Sequence, residues 1–234
     1  MENVTMHSLI FRQFMLLVIT VGYLSTSEAK TYALVADGLI DGKANNVLQD
    51  KAVIVTGNQI TAIINIDHIP KGAIKIDLPG TTLMPGMINA HEHPLLYKSD
   101  YQNAHLQASS AYKALLGLKN LQSLLSAGWT TIRVMGDGDV YYANQDIRKV
   151  IDSGVFIGPR LTGAAHYISI TGGGGDVNYF SPEQTVIADG LIADGPDEIR
   201  KAIRKEIKYG SDWIKIMVTG AFMSVGDNPR NVSF

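Results

Sequence analysis

Residues 195–220 read "GPDEIRKAIRKEIKYGSDWIKIMVTG". Pro196 falls in a first helical turn, Asp197 and Glu198 follow it, Lys205 and Lys208 come late, and Gly210 stands just past the end. That order matches the proline, charge and glycine preferences of a helix from N- to C-terminus. The next residues, "DWIKIMVTG" (212–220), are apolar and β-branched enough to form a strand. A helix that runs straight into a strand is half of a βα repeat.

The same rhythm extends backwards. "GPRLTGAA" (158–165) and "WTTIRVMG" (129–136) read as strands, "NQDIRKVIDSG" (144–154) as a helix closed by glycine. "HLQASSAYKALLGLKNLQSLLSAG" (105–128) carries leucines at helical spacing, and "GMINAHEH" (86–93) is strand-like. Alternation of this kind builds a parallel sheet with right-handed crossovers, either doubly wound or a (β/α) barrel. Residues 31–85 differ: short β-branched runs separated by Asp-Gly, Gly-Asn and Pro-Gly form a small β unit. At the front, Arg12 precedes the apolar "FMLLVITVGYL" (14–24), and Ser27 and Ala29 suit a processing site before Lys30. The apolar run is shorter than the ~20 residues of a membrane span. Residues 1–29 are therefore expected to be a signal peptide of an exported, periplasmic or secreted protein, with no later membrane span.

The 234 residues carry 46% hydrophobic side chains, a net charge of −2 and no cysteine. That is a globular composition without the basic stripe of a nucleic-acid binder. It also removes disulfides, thiolate metal sites and a cysteine nucleophile.

Two constellations carry chemistry. His91 and His93 end the strand "GMINAHEH", and residues i and i+2 of a strand share a face. Two imidazoles at the C-terminal end of a parallel strand suit one divalent metal such as zinc. The other is Lys215, inside the apolar strand 212–220. A lysine there must pair or lose its charge, and a neutral amine can take up carbon dioxide as a carbamate that bridges two metals. The glycine run "TGGGGD" (171–176) reads as a long loop; no Gly-Lys-Ser/Thr follows to make it a phosphate loop.

In order, "LMPGMINAHEHP", "GWTTIRVMG", "GPRLTG", "SITGGGGD" and "GSDWIKIMVTG" resemble the amidohydrolase superfamily, in the imidazolonepropionase and Xaa-Pro dipeptidase-like branch. The resemblance implies the N-terminal part of a (β/α)8 TIM barrel, about four strand–helix units over 86–234, beside a small β-sandwich portion at 30–85. It implies His91, His93 and a carboxylated Lys215 as ligands of a binuclear centre, with Zn2+ as default metal. It implies hydrolysis of C–N bonds by a metal-activated hydroxide, on dipeptides or acylated amino acids. Three positions depart from the family: Val134 and Asn89 stand where relatives usually carry aspartate, and Gly174 where histidine is frequent. The family's further histidines and its aspartate base are expected beyond Phe234, so this chain looks like a weakly active or inactive half that self-associates or pairs with a missing half. His166, at the end of the third strand, is the remaining candidate for substrate contact. The alternative is an exported binding protein with a decayed metal site.

Overall fold

A computed structural model describes residues 29–233; the expected signal segment otherwise lies outside the described residues. The chain divides into two compact units, Met1–Pro85 and Gly86–Phe234.

The first unit is one four-stranded sheet: β1 (Thr31–Leu39), β2 (Lys51–Thr56), β3 (Gln59–Asn65) and β4 (Ile74–Leu83), in the order β3-β2-β1-β4. β1 pairs antiparallel with β2 and parallel with β4. The Gly57-Asn58 turn makes the β2–β3 hairpin, with Gly57 at φ +61. Ala33, Ala52 and Ile54 are its buried centre.

The second unit alternates strands and helices. Its strands are β5 (Met87–Glu92), β6 (Trp129–Met135), β7 (Arg160–Ala164), β8 (Tyr167–Ser169), β9 (Leu191–Ile192) and β10 (Lys215–Ile216). Its helices are α1 (Tyr101–Gln107), α2 (Ser110–Ser126), α3 (Ala143–Asp152) and α4 (Gly195–Lys208). Pairing is parallel throughout, in the orders β5-β6-β7 and β10-β8-β9. β7 and β8 are consecutive parts of the third strand, split at Ala165–His166; the first part bonds β6 and the second bonds β10. Four parallel strands thus follow one another as part of a barrel wall that does not close among the described residues. Gly163 permits the close β6–β7 approach: at φ +136, a Cβ there would lie 2.0 Å from the Val134 carbonyl oxygen.

Three boundaries differ from those read in sequence. The third strand, expected over 158–165, runs on to Ser169. The long helix expected over 105–128 is two helices. Ala108 is extended, and the Ser109 hydroxyl caps α2 by accepting from the Tyr112 amide at 3.2 Å. A serine that competes for backbone donors starts a helix more readily than it continues one. The fourth strand is regular only at Lys215–Ile216, although the Asp212 and Trp213 amides bond Gly163 O and the Met217 amide bonds Ile168 O.

One core joins Leu95, Leu121, Ile132, Val134, Ile147 and Leu161 between the sheet and helices α2 and α3. On α4, Ala202 is buried and Ile199 and Ile203 pack beside it on Ile168 and Ile214, a stripe at helical spacing. The Asp194 amide bonds the Glu198 carboxylate at 2.8 Å, so the acids at the start of α4 also satisfy a free donor. No described helix is long and apolar enough to cross a membrane.

Candidate active site

β5 delivers the histidine pair. His91 is exposed, His93 is half-buried, and their Nε2 atoms are 3.2 Å apart. His93 Nδ1 lies 2.5 Å from the Gly136 carbonyl oxygen. A carbonyl only accepts, so the proton sits on Nδ1 and Nε2 carries the lone pair, within reach of His91 Nε2. Burial lowers the His93 pKa, opposed by the Gly136 hydrogen bond and assisted by His91, so the neutral imidazole is favoured. Two imidazole nitrogens bound to one tetrahedral zinc at ~2.0–2.1 Å stand about 3.4 Å apart. The observed pair fits that edge. Asn89 sets the local turn, accepting from the His91 amide at 3.0 Å and donating to Glu92 at 2.7 Å. Glu92 also takes the His93 amide at 3.0 Å, so its oxygens are already engaged by neighbours.

Lys215 enters from β10. It lines, with His91 and His93, a cavity of about 810 Å³. Ile214 turns to the core while Lys215 and Met217 face the cavity, the alternation expected of this strand. Among the described residues no group of three His, Cys, Asp or Glu converges.

Much of the cavity wall is aromatic and apolar, with Tyr97, Tyr101, Tyr167, Met217 and Phe222 contributing. The two deeper tyrosines have committed their protons. Tyr167 donates to Asp189 at 2.8 Å and sets its ring edge-on to His93, centroids 6.3 Å apart. Ser224 donates to Gly174 O, so its oxygen accepts from Tyr101 at 3.0 Å. Burial raises both phenol pKa values, which keeps them protonated.

His166, the candidate for substrate contact, does not line this cavity. Its ring points to the helix side, where Nδ1 bonds Glu206 at 2.8 Å and Tyr142 packs edge-on at 4.8 Å. Glu206 also accepts from the His166 amide, Ser211 and Tyr142. Burial raises the Glu206 pKa, but its hydrogen bond to His166, the His166 charge and the other donors more than offset this and leave it lowered. A lowered acid stabilises the fold above its unfolded value of 4.5, and the gain is lost as pH falls through the folded value. Glu206→Gln is therefore expected to cost about 1–3 kcal/mol at pH 7. It should also flatten the loss of stability below pH ~4.5, as read by urea unfolding across pH.

Sequence reading missed the buried charges behind the cavity. Lys113, 2% exposed, donates to His105 Nδ1 at 2.9 Å and Gly138 O at 2.9 Å, and stands 3.3 Å from Asp139. Ser110 and the Ala143 amide donate to the other Asp139 oxygen. Asp137 is also fully buried, and desolvation raises its pKa. In sequence, "GDGD" at 136–139 looks like an exposed turn, and nothing in the α2 pattern marks Lys113 as inward.

Successive parallel strands, with an imidazole pair at the end of β5 and Lys215 on β10 lining one cavity, make this unit part of a βα-barrel. Residues 82–234 match the amidohydrolase family. The chain is a member of that family. It is 27% identical over 230 residues to ochratoxinase of Aspergillus niger, covering 90% of this chain and 46% of that protein. A crystal structure of a Xaa-Pro dipeptidase with bound methionine superposes with a TM-score of 0.76 at 29% identity, over 88% of this chain and 51% of that one. A prolidase complexed with N-methylphosphonate-L-proline gives a TM-score of 0.76 at 26% identity, over 88% and 50%. The chain spans about half the length of these relatives.

Proposed function

We propose that this chain belongs to a metal-dependent hydrolase that cleaves amide or peptide-like C–N bonds, with dipeptides or acylated amino acids as substrates. The observation that carries the reading is the pair of Nε2 atoms 3.2 Å apart beside Lys215 in one cavity. The bond classes implied by the names of the dipeptidase and ochratoxinase relatives support it. His91 and His93 would hold the metal, zinc by donor type, and a carbamate on Lys215 would add two oxygens able to reach a second ion. A divalent ion held there supplies Lewis acidity toward the carbonyl and a nucleophile from water at neutral pH. The chain's own residues orient the rest: Gly136 fixes the His93 tautomer, and the Tyr101–Tyr167 wall offers rings rather than protons to a substrate side chain.

Among the described residues Glu92 is the carboxylate lining this cavity, and each of its oxygens already accepts one bond from a neighbour; the chain alone is proposed to turn over weakly or not at all. The free edges of β5 and β10 would be covered by self-association or by a polypeptide carrying further strands. Export through the leader at 1–29 is part of the same proposal.

The test is zinc stoichiometry of the full chain, with and without bicarbonate, and intact mass for one added carbon dioxide. Zinc retention and a mass increment that vanish in Lys215→Ala are expected, with little hydrolysis of an N-acyl amino acid panel. A chain that takes up no zinc sinks the metal reading; brisk hydrolysis sinks the weak-turnover part.

A further inference from the structure

Asp137 follows Gly136, whose carbonyl sets the His93 tautomer. It is 0% exposed and lies outside the cavity wall. Its Oδ1 accepts from the Leu95 amide at 3.0 Å, two residues past His93. Its Oδ2 accepts from Asn144 at 3.0 Å, on α3. Its own amide donates to Ala165 O at 3.0 Å, on the third strand. One carboxylate therefore ties the backbone leaving β5 and α3, while the adjacent peptide holds the His93 ring. Gly136 leaves the loop no slack: at φ +83, a Cβ there would lie 2.4 Å from the Tyr167 amide nitrogen. An ionisable group is costly to bury, and this one touches nothing in the cavity.

We propose that Asp137 is a positioning residue for His93, holding the β5 exit and the Gly136 carbonyl in register so that the Nε2 lone pair faces His91 and the cavity. The purpose of the clamp rests on the metal reading given above; its geometry does not. Partners of metal-binding histidines act in this way, and their loss typically weakens metal binding ~10–100-fold.

The experiment uses the full chain without metal first. Nitrogen-resolved NMR of the imidazoles should show His93 as a single Nδ1–H tautomer. Asp137→Ala should lose that signature and weaken Co2+ binding about 10–100-fold. Asp137→Asn keeps an oxygen for the Leu95 amide, and should retain the tautomer and hold Co2+ affinity within about threefold of wild type. Glu206→Gln, which weakens the fold away from His93, should move neither readout. The proposal is overturned if Asp137→Ala keeps the wild-type tautomer and affinity, or if Glu206→Gln shifts both as much. Should Asp137→Ala fail to fold, the wild type still decides: a His93 protonated on Nε2 instead of Nδ1 overturns the clamp. A wild type that binds no Co2+ overturns the metal reading, while tautomer loss in Asp137→Ala would still support the clamp.

Discussion

Lys113→Met is expected to cost about 3–5 kcal/mol, the largest stability loss among single changes to the charged network. The methionine would fill most of the space but leave the Asp139 carboxylate without its cation, inside protein. Asp139 keeps its bonds from Ser110 and Ala143, yet its second oxygen accepts no hydrogen bond and relies on the ammonium 3.3 Å away. Breaking one side of a buried pair is much worse than removing both. The double variant Lys113→Met with Asp139→Asn should therefore recover at least ~2 kcal/mol, a coupling visible in a double-mutant cycle by urea unfolding. A single-variant loss below ~1 kcal/mol would mean that the network contributes little.

The second large effect is on metal uptake. His93→Ala should weaken Zn2+ or Co2+ binding by more than the ~100-fold expected for an outer partner, since it removes one nitrogen and the orientation of the other. The ring is also part of the Tyr167 contact, so a stability control is needed. His93→Gln supplies one, keeping polarity and approximate reach without an imidazole. Equilibrium dialysis of both variants against wild type reads the effect. Affinity retained within tenfold in both would remove His93 from the ligand set.

Much of the architecture was legible because it rests on local chemistry. The α4 segment carries Pro196, early acids, late lysines and Gly210, and each acts where a helix end requires it. The alternation of strand and helix sequences led to the parallel wall, and the i, i+2 spacing of His91 and His93 led to the imidazole pair. The misses come from tertiary context. Ser109 is a cap that a leucine-spaced pattern overran. Asp137, Asp139 and Lys113 are buried by partners drawn from three separate segments, and single-sequence composition carries no sign of such pairing. His166 differs for another reason: sequence put it at the end of the third strand, whereas the strand runs on to Ser169 and His166 sits at its break, turned to the helix side.

That last point has a consequence for how the chain tolerates changes in length. Across Ala165–His166 the third strand passes from one neighbour to the other, with His166 turned to Tyr142 and Glu206 and Tyr167 turned to His93. Inserting or deleting one residue there would exchange the two sides, bringing an imidazole to the cavity and a phenol to the helices. The segment from Arg160 to Ser169 is thus fixed in length by its own pleat, while the irregular stretch 170–190 carries no such register. Among natural variants of this chain, gains and losses of residues should fall in 170–190 and spare 160–169.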